Sequence, residues 1–225
     1  MWCGVGSFSF RRVAPNEALK NGRKHLVGYV GIMGAQDGVD LLIEAMDDLV
    51  RRQKRDDVQC VIVGSGTELP RLLRMAREKG LEDHVTFTGF LSGESLLAAY
   101  SAFDIGVIPD PKNVYNDKIS MNKVFEYMTL GIPFVAFDLI ETRRAAGEAA
   151  LYASDNDSAS LAAHIARIAG DPDLAGALAE EGAARAATML NWERERPKLL
   201  AAYDLALNGP RAIPTPVAVA SELAQ

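Results

Sequence analysis

The chain has 225 residues, enough for one large domain or two small ones, and 48% of them are hydrophobic, ample for a packed core. A formal net charge of -6 argues against a surface that tracks nucleic acid or anionic lipid, because such partners need clustered Lys and Arg, so any bound phosphate must be held locally. Cys3 and Cys60 have no second Cys or His at metal-ligand spacing, which speaks against a disulfide scaffold or a zinc motif and fits a reducing cytoplasm, and no apolar run approaches the roughly 18 to 20 residues that cross a bilayer.

In chain order, residues 1–24 mix Gly, Ser, Pro and Arg without a period and read as a linker or the remnant of an interdomain segment. The N-terminus also lacks the charged-then-apolar pattern of an export signal. A single domain is predicted over 25–207. Short apolar runs alternate there with longer amphipathic ones: HLVGYVG, GVDLLIEAMDDLVRRQ, VQCVIVG, ELPRLLRMAREKG and HVTFTG. That alternation predicts βαβ units and an α/β fold, a Rossmann-like parallel sheet with helices on both faces. SGESLLAAYSA follows as a helix with Ser92 as its N-cap, then the strand DIGVIP, a helix around SMNKVFEYMTLG and the strand PFVAF. Past about residue 153 the rhythm gives way to helical stretches ending in NWERERPKLLAAYDLAL, where Pro197 marks either a first turn or a kink. Residues 208–225, with Pro210, Pro214 and Pro216, are expected to form a flexible tail.

Two glycine loops follow strands at the carboxyl edge of this sheet, where open α/β sheets bind ligands. The first holds Gly31 and Gly34, the second Gly64 and Gly66. Glycines there either let backbone N–H groups approach a phosphate or only permit tight turns. The three-and-three glycine spacing after the first strand is not G-x-G-x-x-G, and VIVGSG carries no acidic residue at the end of the second strand, so a dehydrogenase is disfavoured.

The most informative segment runs from Asn116 to Met128. Val124, Phe125 and Met128 form a buried stripe, whereas Asn122, Lys123 and Glu126 gather near the helix start. A Lys there can pair with a diphosphate while the helix N-terminus donates N–H groups, and a carboxylate one turn later can accept both hydroxyls of a ribose. The alternative is a solvated Lys123–Glu126 pair on a surface helix. His25, His84 and His164 share no motif and read as structural or surface residues, and Arg51, Arg52 and Arg55 read as a solvated helix end.

The run from Lys123 to Ala136 resembles the E-A-M-A-x-G-x-P-V-V-A pattern of retaining group 1 (family 4) glycosyltransferases. In order, Asp37–Ala45 is similar to the K-G-x-D-x-L-I-x-A helix, Val63–Gly66 to V-G-x-G, Val85–Gly89 to V-x-F-x-G and Asp104–Pro109 to A-D-I-x-V-x-P. The resemblance covers about residues 25–205. It implies one half of a GT-B fold: the C-terminal, donor-binding half of an enzyme that moves a sugar from a nucleotide diphosphate sugar, a UDP- or GDP-sugar, with retention and without a metal or other cofactor.

In that family the Glu at the position of Glu126 holds the ribose hydroxyls. Several positions depart from the pattern. The other Glu of E-x7-E is Lys118 here, the Arg and Lys that follow the first strand are Ile32 and Asp37, and Asp138-Leu139-Ile140-Glu141-Thr142 stands in place of the Gly-Gly pair and its Glu. Either Lys118 and Lys123 replace the missing cations from another direction or diphosphate binding is weak. Glu141 is a candidate contact for the donor sugar, and no catalytic residue is assigned.

The implied partner is an N-terminal GT-B half or a partner chain, without which the domain is expected to be inactive. Peripheral membrane association through an acceptor stays open, and nucleic acid is not expected. The terminal helices resemble the segment that packs back toward the N-terminal half, with Trp192 either a core aromatic or part of that contact. Two other readings compete: a degenerate, non-catalytic nucleotide-sugar-binding module, and another GT-B enzyme such as a nucleotide-sugar epimerase.

Overall fold

In the computed structural model, which describes residues 10–209, the short apolar runs form β1 (His25–Val30), β2 (Val58–Val63), β3 (Val85–Gly89), β4 (Ile105–Ile108), β5 (Phe134–Phe137) and β6 (Ala150–Ala153). All pair in parallel, in the order β3-β2-β1-β4-β5-β6. This is the doubly wound order, and it reverses direction between β1 and β4.

The strands are apolar almost throughout because both faces of the sheet are covered. Their two-residue period sorts side chains between two cores. Val27 and Tyr29 of β1, Cys60 and Ile62 of β2, and Val135 and Phe137 of β5 face one core with α1 (Val39–Asp47), α2 (Leu69–Glu78) and α6 (Ser158–Gly170). Leu26, Val61, Phe134 and Ala136 face the other, with α3 (Gly93–Ala102), α4 (Asn122–Leu130) and α5 (Ile140–Ala146). Two long helices complete the chain: α7 (Pro172–Thr188), which packs along α4, and α8 (Trp192–Asn208).

Gly28 and Gly106 are paired neighbours on β1 and β4. A Cβ on Gly28 would lie 2.1 Å from the Phe103 ring, and one on Gly106 would lie 2.8 Å from the Tyr127 ring. Their missing side chains let both rings lie flat on the central strands. There the Tyr127 hydroxyl donates to the Gly28 carbonyl (3.0 Å), which pins α4 against the switch point.

The elements begin and end close to the residues the periodicity marks, and several local details differ. Ser92 occupies the N-cap position of α3, but its side chain makes no capping bond; its carbonyl instead accepts from the Ser95 hydroxyl at 2.8 Å. True side-chain caps stand at Asp157, Asp171 and Asn191, before α6, α7 and α8. Pro197 lies inside α8, beyond its first turn. Trp192 is 41% exposed and so is not a core aromatic of this domain. Of the expected linker, residues 10–24 cross α3 and the end of α4, and Arg12 donates to the carbonyls of Ser101, Leu130 and Gly131. Residues 1–9 and 210–225, including most of the expected tail, lie outside the described residues.

Among the described residues no helix is long and apolar enough to cross a membrane. Arg51, Arg52 and Arg55 pair with Asp47, Asp48 and Asp57, as expected of a solvated helix end. His84 is buried against the Val58 carbonyl at 3.2 Å, a structural position. Cys60 is a buried free thiol whose desolvation pushes it well above the ordinary thiol range.

Candidate functional site

The reversal of strand order leaves a crevice at the carboxyl ends of β1 and β4, the place where doubly wound sheets take ligands. The loops that follow β1, β2, β3 and β4 meet there, with the first turn of α4. The long β4–α4 connection is tied down on both sides. Buried Asn116 donates to the carbonyls of Gln36 (3.1 Å) and Pro111 (2.8 Å), and Asp117 accepts the Ile140 amide (3.1 Å) at the head of α5.

The glycine loops lock together. The Gly31 amide donates to the Val63 carbonyl (3.0 Å), the Gly64 amide to Gly89 (2.8 Å) and the Gly34 amide to the Asp37 carboxylate (2.8 Å). Gly64 has a φ of 129°, and a Cβ there would stand 1.9 Å from the Gly31 carbonyl oxygen. A Cβ on Gly66 would likewise meet the Met33 carbonyl at 2.4 Å. These four glycines allow close loop packing, and the amides of Gly31, Gly34 and Gly64 already have partners inside the protein. The loops they form wall one side of a hollow of about 250 Å³ bounded by Ile32, Val63, Gly64, Phe90, Leu91 and Leu96, a slot with largely apolar sides.

Lys123 and Glu126 both sit in the N-terminal half of α4, and neither is solvated as a surface pair. Lys123 reaches across to Asp110, with Nζ 3.3 Å from Oδ2, and lies 4.9 Å from the centre of the Tyr29 ring. The two side chains of that pair are 11% and 2% exposed. Burial pushes the Asp110 carboxyl above its ordinary value, with Lys123 opposing the rise. Glu126 accepts a 2.5 Å hydrogen bond from the Tyr100 hydroxyl, and burial raises its carboxyl too, against Tyr100 and Lys123.

The remaining candidates ring this centre. Asn122 is exposed at the first residue of α4, Lys118 is exposed on the turn Asn116–Lys118 before it, and Glu141 opens α5 with an ion pair to Arg144 at 3.4 Å. The structure thus gathers the α4 residues and the glycine loops at one sheet edge. It places Lys118 on the preceding turn and Glu141 in the first turn of α5, and among the described residues no ion pair joins either of them to Lys123 or Glu126.

Asp110, Tyr29 and Tyr100 were not legible as partners of these groups. The only signal for Asp110 was its place between Pro109 and Pro111 at a strand exit. Among the described residues no group of three His, Cys, Asp or Glu side chains is arranged to hold a metal ion.

Comparison with known proteins completes the site's description. A family described as glycosyl transferases group 1 matches residues 24–171. An alpha-D-kanosaminyltransferase of Streptomyces kanamyceticus is 32% identical over 160 residues, covering 70% of this chain and 40% of that protein. The sucrose-phosphate synthase of Thermosynechococcus elongatus superimposes with a TM-score of 0.75 at 27% identity, over 92% of this chain and 52% of the other. The Anabaena protein Alr3699/HepE, solved in complex with UDP-glucose, has the same fold, with a TM-score of 0.72 at 18% identity over 89% and 56% of the two chains. The chain therefore spans between 40% and 56% of the lengths of these proteins.

Proposed function

The chain belongs to the group 1 glycosyltransferases, and from that premise we propose that it is the donor-binding half of an enzyme that transfers a sugar from a UDP- or GDP-sugar to an acceptor. The observation that supports the reading is that Lys123 and Glu126, in the N-terminal half of α4, are held in partly buried positions by Asp110 after β4 and by Tyr100 of α3.

Each part of a nucleotide sugar has a matching surface. A planar base fits between the apolar walls of the slot, where its faces lose water and its edge meets loop backbone. A diphosphate next to α4 meets its N-terminus, which no side chain caps, and the ammonium of Lys123, a local device that a net-negative protein needs. Glu126 accepts ribose hydroxyls, and Asn122, Lys118 and Glu141 on the outer rim face the sugar. The acceptor side is assigned to the N-terminal half or partner chain that the reading calls for. No metal is required by this reading.

A second reading has an observation of its own. Ile32 and Asp37 stand where the family's cations follow the first strand, and Lys123 is already paired with Asp110. A site with so little free positive charge suits a weak or degenerate nucleotide-sugar-binding module.

Calorimetric titration of the chain with UDP, GDP and ADP, with and without magnesium, tests the proposal. Saturable binding of UDP or GDP without metal supports it, and binding of none of the three removes it. If a nucleotide binds, co-expression with the acceptor half of a relative separates an active donor half from the degenerate module, which transfers no sugar.

A further inference from the structure

We propose that Tyr100 of α3 is the positioning residue for Glu126, its hydroxyl holding Oε2 so that Oε1 is presented to a ribose hydroxyl of the donor. The inference rests on the nucleotide reading above and adds a residue to it from a different helix.

The hydrogen bond is 2.5 Å long, in the range of a hydroxyl donating to an ionised carboxylate. The tyrosine that makes it cannot easily turn away. Its ring is 1% exposed and is wedged edge-on against Phe10 (5.6 Å), Phe103 (5.6 Å) and Tyr127 (6.1 Å). Glu126 Oε1, in contrast, makes no hydrogen bond to any described residue. One oxygen is clamped, and the other has no partner among the described residues.

Clamping has two consequences. A glutamate frozen before the ligand arrives loses less side-chain freedom on binding. A carboxylate that is half-buried is pressed toward its protonated form, in which one oxygen becomes a donor and its acceptor capacity falls. The tyrosine donor works against that pressure, and the tyrosine stays protonated because burial raises it far above its ordinary range.

Tyr100→Phe keeps the ring and deletes the donor. In protein labelled with ¹³C at glutamate side chains, with Glu126→Gln used to identify the resonance, the Glu126 midpoint is expected to move up in Tyr100→Phe. UDP and GDP titrations from pH 5 to 8 are expected to show about five- to tenfold weaker binding by the variant near neutrality, with its acid limb displaced to higher pH. A purely structural tyrosine would lower affinity without moving either pH profile.

The proposal is overturned if wild type binds UDP or GDP and the variant matches it at every pH, or if the Glu126 midpoint does not move. If wild type binds neither nucleotide, the nucleotide reading itself fails and this inference falls with it.

Discussion

The Lys123 ammonium is held by Asp110 across the crevice, 3.3 Å away, and not by Glu126 one turn along its own helix. The cation at the switch point is therefore paired before any phosphate arrives. A diphosphate must share it with a carboxylate that is itself 2% exposed.

Asp110→Asn is expected to tighten nucleoside diphosphate binding by about three- to tenfold, because it removes a negative charge beside the phosphate while a neutral amide still meets Lys123. Stability should fall by about 1–3 kcal/mol, since Lys123 loses its counter-charge in a largely buried place. Calorimetry and urea unfolding measure the two effects. Weaker binding by the variant would place the diphosphate away from this pair.

Lys123→Met leaves Asp110 buried without a cation and is expected to cost about 2–4 kcal/mol near pH 7. The deficit should shrink as pH falls. In the native state Asp110 already titrates above its ordinary value, so the folded chain binds more protons than the unfolded one between those two values. Stability therefore decreases as pH rises through that window, and removing Lys123 widens it upward. Denaturation of both proteins at pH 5 and pH 7 tests the sign; a deficit that is constant or grows toward acid would contradict it.

Glu126→Ala should weaken UDP or GDP binding by about 1–3 kcal/mol, the range for hydrogen bonds to a charged group. The variant should also lose the preference of the wild type for UDP over 2′-deoxy-UDP. Equal discrimination in both proteins would remove Glu126 from the ribose.

The sheet and its helices were legible in the sequence because they depend on period and on turn residues within short windows. Lys123 and Glu126 were legible too, as members of one helix turn. What was not legible is whom they touch. Asp110 is thirteen residues before Lys123 and Tyr100 is twenty-six before Glu126, each on a different element, so their pairing exists only once β4, α3 and α4 are packed. The glycine loops show the same limit. Spacing does not reveal which strands Gly31 and Gly64 are tied to, because the bonds from Gly31 to Val63 and from Gly64 to Gly89 are long-range.

Gly28→Ala is expected to destabilise the domain by about 2–3 kcal/mol through overpacking, because the added methyl would sit 2.1 Å from the Phe103 ring in a fully packed core. Combining it with Phe103→Leu should recover part of the loss, since the smaller side chain vacates that space. Chemical denaturation of the single and double variants measures the coupling, and strictly additive losses would rule out the ring as the cause.

Helix α8 should be the first described element to open. It runs for 17 residues, yet Glu195 is its only buried side chain, and Leu200, Tyr203, Leu205 and Leu207 are all more than half exposed. Helices draw most of their stability from an apolar face pressed on a core, which α8 lacks over most of its length. Pro197 also removes one backbone donor inside it. The Asn191 cap, which accepts the Arg194 amide at 3.0 Å, and the Glu195–Lys198 pair at 2.6 Å brace only its first turns. Amides beyond Leu200 are therefore expected to exchange with solvent orders of magnitude faster than those of α4, which is buried between the sheet and α7. Hydrogen exchange followed by mass spectrometry on the isolated chain measures this directly. Protection in α8 equal to that of α4 would mean that its apolar side chains are covered in solution, by another copy of the chain or by residues outside 10–209, and repeating the measurement over a range of protein concentrations separates those two sources.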